Sequence, residues 1–309
     1  MLTRETMGGL YALPPTPFTP KGEFDEDSFR HNMRALIAAG VDGITITGSN
    51  GEFHTMTWEM LKEVIRVFVE ECKGKVTAIA GCSAVHTEDA IMRTRFAMEQ
   101  GADAVMNVSP YYIDLTHDEL VTFWRDLSAA CPDIGIVVYN NPGTAQLHTL
   151  PVYRELAKLP NMCGSKEGHN NFDLLTELLR DADHTGLAYM TATEHTWFVP
   201  SMQLGGRGIF SMAASVFPHH LVKLYKACKE KRWGDALKMQ WRLKEAYGSM
   251  ASQPYMRSYN MMARFKAMCT AGGSLRCGKS RKPLITVTDE HQAMLNEYTR
   301  KECADLMRP

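Results

Sequence analysis

The sequence predicts a (β/α)8 barrel with a C-terminal helical extension, and three observations carry the prediction. Eight short β-rich runs alternate with amphipathic helical stretches. The eight units occupy about 210 residues, and roughly 250 is typical of such barrels. The G-x-G-x-x-G turn that would open a doubly wound dinucleotide-binding sheet, the structural rival, is absent after the first run.

The strand runs, in order, are Gly9–Leu13, Gly43–Thr47, Val76–Ala80, Ala104–Val108, Ile134–Tyr139, Met162–Lys166, Leu187–Thr191 and Gly208–Phe210. Between the first two, Phe29, Met33, Leu36 and Ile37 fall on one helical face. Thr116-His-Asp-Glu119 fits a capping box, in which hydroxyl and carboxylate satisfy exposed amides. Gly40 and Gly101 supply helix stops just ahead of a strand. After Phe217-Pro218 the pattern turns purely helical, over about 218–230, 233–249, 254–270 and 289–306. Residues 1–230 are therefore read as the catalytic barrel and 231–309 as a helical extension packed on it. The glycine-rich, basic stretch Ala271–Pro283 between the last two helices reads as a solvated connector.

Composition narrows the partners. Lys plus Arg (34) and Asp plus Glu (35) nearly cancel in this 309-residue chain, so no broad basic face exists for nucleic acid or anionic lipid. No aromatics interleave with the basic 276–282 segment. The first residues lack the apolar core of a signal peptide, and no apolar run approaches the roughly 18–20 residues of a membrane span. Eight scattered cysteines without a C-x-x-C pair resemble the reduced thiols of a cytoplasmic enzyme, not a zinc site or disulfide framework. These features point to a small-molecule partner.

In such a barrel, functional groups gather at the C-terminal strand ends. Four of those ends carry informative sequences: Gly48-Ser49-Asn50-Gly51-Glu52, Ser109-Pro110-Tyr111-Tyr112, Tyr139-Asn140-Asn141-Pro142 and Gly164-Ser165-Lys166-Glu167. A lysine ending a strand inside a barrel is poorly solvated, which disfavours the ammonium form and leaves an amine able to attack a ketone. The protonated imine then stabilises a carbanion or enamine on the adjacent carbon. The competing reading is that Lys166 pairs with Glu167 or points into solvent. Tyr139, one strand earlier, could shuttle the protons of imine formation, and Ser49 could relay protons to it. The glycines at 48 and 51 permit a tight turn whose amides could hold a carboxylate.

Together these motifs resemble the dihydrodipicolinate synthase / N-acetylneuraminate lyase family of class I aldolases, over nearly the whole chain. Lys166 follows Tyr139 by 27 residues, about the family's spacing. The resemblance implies that Lys166 is the Schiff-base lysine and Tyr139 the proton shuttle. Ser49 would couple Tyr139 to a second tyrosine, Tyr112, which reaches into a neighbouring subunit's site. It also implies that the amides of Ser49 and Asn50, following Gly48, grip the carboxylate of the 2-oxo acid, with Phe210 near the bound acid. Family members are usually homotetramers built as dimers of dimers, and need no metal or organic cofactor.

Two departures bear on the substrate. Dihydrodipicolinate-forming members typically carry an arginine two residues after the proline of the Tyr-Asn-x-Pro motif, where this chain has Thr144. A neutral hydroxyl cannot replace a bidentate guanidinium. The acidic pair usual after the seventh strand is replaced by Thr193-Glu194-His195. Thr144, Gln146, Glu194, His195 and Trp197 are thus candidate lining residues of a remodelled second-substrate pocket. The expected function is an aldolase-type lyase joining or cleaving a C–C bond between pyruvate, or a related 2-oxo acid, and an aldehyde. The alternatives are dihydrodipicolinate synthase itself, a dehydratase or deaminase using the same imine, and a non-catalytic barrel that binds 2-oxo acids.

Overall fold

A computed structural model describes residues 1–141, 143 and 145–308. Its eight strands are β1 (Gly9–Ala12), β2 (Gly43–Ile46), β3 (Thr77–Gly81), β4 (Ala104–Asn107), β5 (Gly135–Asn140), β6 (Met162–Glu167), β7 (Ala188–Thr191) and β8 (Gly208–Ser211). All pair in parallel, in chain order, and β8 returns to β1 to close the barrel. Each sequence run lies within about two residues of its strand. The expected capping box forms at Thr116 and Glu119, and Gly40 and Gly101 end their helices in the left-handed conformation.

Strand alternation divides the core in two. Ile136 and Val138 of β5 pack outward beneath the helices, while Val137 and Tyr139 face the barrel interior. On β6 the phase is reset. Ile136 pairs with Met162 but Val137 pairs with Gly164, so Cys163 is an extra residue, a bulge. Cys163 faces the interior core, and strict alternation from it would send Lys166 outward. The bulge instead turns Lys166 inward and sends Ser165 and Glu167 to the helix side. Gly164 is required there, because a Cβ would stand 2.0 Å from the Ala188 carbonyl oxygen.

The helices Pro218–Lys229, Trp233–Ala251, Met261–Ala271 and Asp289–Glu302 follow the barrel. The helix expected over 254–270 is broken. Pro254–Met256 forms one short turn, and a new helix starts at Asn260, whose side chain accepts from the Met262 amide. The stretch from Ala271 to Pro283 differs from the solvated connector expected. Leu275 and Cys277 are buried, the Asn32 side chain bonds both the amide and the carbonyl of Arg276, and Gly278 bridges to Phe18. Its basic residues suggested solvent, but its backbone is fastened to the barrel mouth. All eight cysteines are buried free thiols, and among the described residues no helix is long and apolar enough to cross a membrane.

Candidate active site

A cavity of about 790 Å³ opens at the C-terminal ends of the strands. Gly48, Ser49, Asn50, Tyr139 and Lys166 line it, joined by Met261, Met262 and Leu284 from the extension. Lys166 is only 5% exposed, and its Nζ lies 3.7 Å from the centre of the Tyr139 ring. The ring face attracts the cation without neutralising it. Among the described residues Lys166 forms no hydrogen bond or ion pair. The Tyr139 hydroxyl accepts a hydrogen bond from Asn141 Nδ2 at 2.9 Å.

Glu167 is occupied on the other side of β6, which excludes the Lys166–Glu167 pair. Its buried carboxylate accepts from Tyr153 Oη (2.6 Å), His169 Nε2 (2.7 Å), Asn140 Nδ2 (2.8 Å) and the Ser165 hydroxyl. His169 Nδ1 accepts from the Asn171 amide, so Nε2 carries the proton. Burial first, then the neighbouring carboxylate, hold the Tyr153 phenol protonated. Four donors on one carboxylate pin strands β5 and β6 where Tyr139 and Lys166 emerge.

Beside this network lies the fully buried His148. Its Nε2 accepts from Trp124 Nε1 at 2.8 Å while its Nδ1 donates to the Gln146 carbonyl at 3.1 Å. That pattern admits only the neutral ring. Burial lowers its pKa from 6.5 to about 4, against a smaller opposing pull from Glu167. The unfolded chain therefore takes up this proton before the folded one does, and stability falls as pH drops from 6.5 towards 4. Urea unfolding between pH 7 and 4.5 should show that loss, about 3 kcal/mol at most. The His148→Gln variant should show a shallower slope over the same range.

The turn after β2 is strained and anchored. Thr47, a β-branched residue, sits at φ 50° and donates to the Gly81 carbonyl at 2.9 Å. Ser49–Gly51 then form a single 3-10 turn, and among the described residues the amides of Ser49 and Asn50 have no hydrogen-bond partner. Glu52 ends the turn at φ 58°. Its buried carboxylate accepts from Lys266 Nζ at 2.7 Å and from the Arg281 amide at 2.8 Å. Lys266 donates also to the Lys279 carbonyl and lies over the Phe18 ring. Burial lowers the Lys266 pKa, with Glu52 pulling the other way. The extension thereby grips the segment that presents the two free amides.

The structure brings Gly48, Ser49, Asn50, Tyr139 and Lys166 together at one cavity. It shows no hydrogen bond between Ser49 and Tyr139, whose hydroxyl is taken by Asn141. Tyr112 is 86% exposed and does not line its own chain's cavity, whereas Tyr111 does. Phe210 and Glu194 are buried and do not line the cavity directly. Phe210 packs edge-on against Tyr11, and Met212, two residues on, lines the cavity. Glu194 accepts from the Ala213 amide at 2.9 Å and fastens the turn after β8, while Ala192 lines the cavity.

The other pocket candidates are also engaged elsewhere. His195 packs on Tyr247, Trp197 on Phe172, and Gln146 accepts from the Leu115 amide. Thr144 lies outside the described residues. Sequence reasoning gave no role to Asn141, which lies inside a named motif, and missed Phe53 and His54 beside another motif and Met261, Met262 and Leu284, which no local signal marked.

Comparison with known proteins agrees with this architecture. The family model for the dihydrodipicolinate synthetase family matches residues 6–301. The 4-hydroxy-tetrahydrodipicolinate synthase of Methanospirillum hungatei is 32% identical over 248 residues, covering 78% of this chain and 83% of that protein. The enzyme of that name from Methanocaldococcus jannaschii is 30% identical over 298 residues, covering 94% and 97%. Among solved structures, dihydrodipicolinate synthase from Aquifex aeolicus superposes with a TM-score of 0.85 at 26% identity, covering 96% of this chain and 98% of that one. The catalytic-lysine mutant of Ruminococcus gnavus sialic acid aldolase gives a TM-score of 0.88 at 23% identity over 98% of both chains, a likeness of fold. The chain belongs to the dihydrodipicolinate synthetase family of carbon–carbon lyases.

Proposed function

We propose that this protein is a Schiff-base aldolase that joins pyruvate, or a related 2-oxo acid, to an aldehyde, or cleaves the product. The observation that carries the reading is Lys166: a buried amine without a carboxylate partner, at a strand end, against the Tyr139 ring. An amine so placed can attack the keto carbon, while Tyr139 moves protons on and off the departing oxygen. The unpaired amides of Ser49 and Asn50 take the carboxylate. The lysine itself supplies the electron sink, so the scheme needs no metal or organic cofactor.

Ser49 serves as a relay once a ligand or a neighbouring subunit's Tyr112 completes the chain. The exposure of Tyr112 supports that arrangement, and the family's usual tetramer of paired dimers would supply the neighbour. The buried free thiols suit the reducing cytoplasm.

Pyruvate at about a hundred times its Kd should raise the Tm of the wild-type protein by about 4 °C. In Lys166→Ala that shift should vanish. An equal shift in both proteins would favour a purely electrostatic binding site and count against the imine.

A further inference from the structure

The chemistry of the cavity wall restricts the second substrate. Among the described residues that line it, Lys166 is the only lysine or arginine, and no aspartate or glutamate is present. Thr144, outside those residues, is also uncharged. The imine uses Lys166, and one carboxylate uses the amides of Ser49 and Asn50. No fixed charge then remains for a second ionic group.

Some polar groups of the wall are already committed, while the side chains of Ser49, Asn50, Tyr111 and Asn170 make no hydrogen bond among the described residues. Asn141 donates to Tyr139 Oη and accepts from the Gly143 amide. The Asn260 carbonyl oxygen caps its helix, and Ser83 Oγ accepts from the Val108 amide. His54 packs its ring edge-on to Phe53. The remaining wall includes Phe53, Met106, Val108, Met261, Met262 and Leu284, and Met261 stays 54% exposed. At about 790 Å³ the cavity far exceeds what a three-carbon acid fills, so an apolar volume is left beside it.

We infer that the second substrate is an uncharged aldehyde with an apolar body, such as an aromatic aldehyde, selected by Met261, Met262 and Leu284 of the extension. This rests on the imine reading above. A semialdehyde bearing a carboxylate would bring an unpaired charge against this wall, and a sugar aldehyde would set hydroxyls against Met261, Met262 and Leu284, which supply no hydrogen-bond donor. In the forward direction Lys166 and pyruvate form the imine and release water. Loss of a methyl proton gives the enamine, whose terminal carbon bonds the aldehyde carbon while the aldehyde oxygen gains a proton. One water then hydrolyses the imine, returning the lysine and releasing a 4-hydroxy-2-oxo acid.

The test incubates the full-length protein with pyruvate and benzaldehyde, N-acetylmannosamine or aspartate 4-semialdehyde, with the products followed by mass spectrometry. Benzaldehyde should be favoured in kcat/KM by about tenfold or more over each of the others. Met262→Gln should shift the benzaldehyde to N-acetylmannosamine ratio about tenfold towards the sugar; being a ratio, it does not depend on how much variant folds. A wild-type preference for either polar aldehyde, or a ratio unmoved in both Met262→Gln and Leu284→Gln, overturns the inference. Trapping of pyruvate alone on the lysine separates the two claims. Trapping without use of benzaldehyde removes this inference and leaves the imine standing, whereas absence of trapping removes both.

Discussion

Changing Lys166 to alanine is expected to lower kcat on the order of 10⁴-fold or more, because no other group in the cavity can form the imine. The folded structure should survive, since Lys166 makes no hydrogen bond or ion pair among the described residues and its neighbour Glu167 is satisfied by four other donors. Tyr139→Phe keeps the ring against the amine but removes the hydroxyl. It should retain pyruvate binding and lose about 10²–10⁴-fold in kcat, the range for general acid–base catalysis. Steady-state kinetics on the two variants, with circular dichroism as the folding control, checks both. A Lys166→Ala protein with near wild-type turnover would leave the chemistry to some other residue.

Replacing Lys266 by methionine should destabilise the protein by about 3–5 kcal/mol, the largest stability effect expected here. The change strands the Glu52 carboxylate, 1% exposed, at the end of a strained turn and also frees the Lys279 carbonyl. Removing both charges, in Glu52→Gln with Lys266→Met, should recover much of the loss, since a buried pair is worth little against a neutral replacement. Urea unfolding measures both. Equal loss in the single and double variants would show that the stranded charge is not the cause. Any folded single variant should also show a raised KM for pyruvate, because the Ser49 and Asn50 amides ride on this turn.

The parts of the fold legible in the sequence were those set by local chemistry. Ile136, Val137 and Val138 mark a strand by β-branching, Thr116 and Glu119 mark a helix start, and Gly40 and Gly101 mark stops. The positions of Tyr139 and Lys166 on adjacent strand ends followed from the same reading, and the structure pairs them directly.

What stayed hidden depends on contacts between distant residues. The bulge at Cys163 decides which way Lys166 points, yet it is visible only in the pairing of β6 with β5. Phe210, expected near the bound acid from the resemblance, has a contact with Tyr11 that no local signal announces. Glu194, a pocket candidate because it stands where the family's acidic pair is usual, accepts from the Ala213 amide, nineteen residues on. The basic 276–282 stretch hid an apolar, hydrogen-bonded attachment through Asn32, Phe18 and Glu52, more than two hundred residues away.

The central claim is that Lys166 forms an imine with a 2-oxo acid. Borohydride reduction of the protein in the presence of pyruvate, followed by peptide mass spectrometry, tests it most directly. A reduced pyruvyl adduct on Lys166, absent without pyruvate and absent in Lys166→Ala, is the predicted result. No adduct with pyruvate or a panel of other 2-oxo acids, or an adduct on a different lysine, would contradict it.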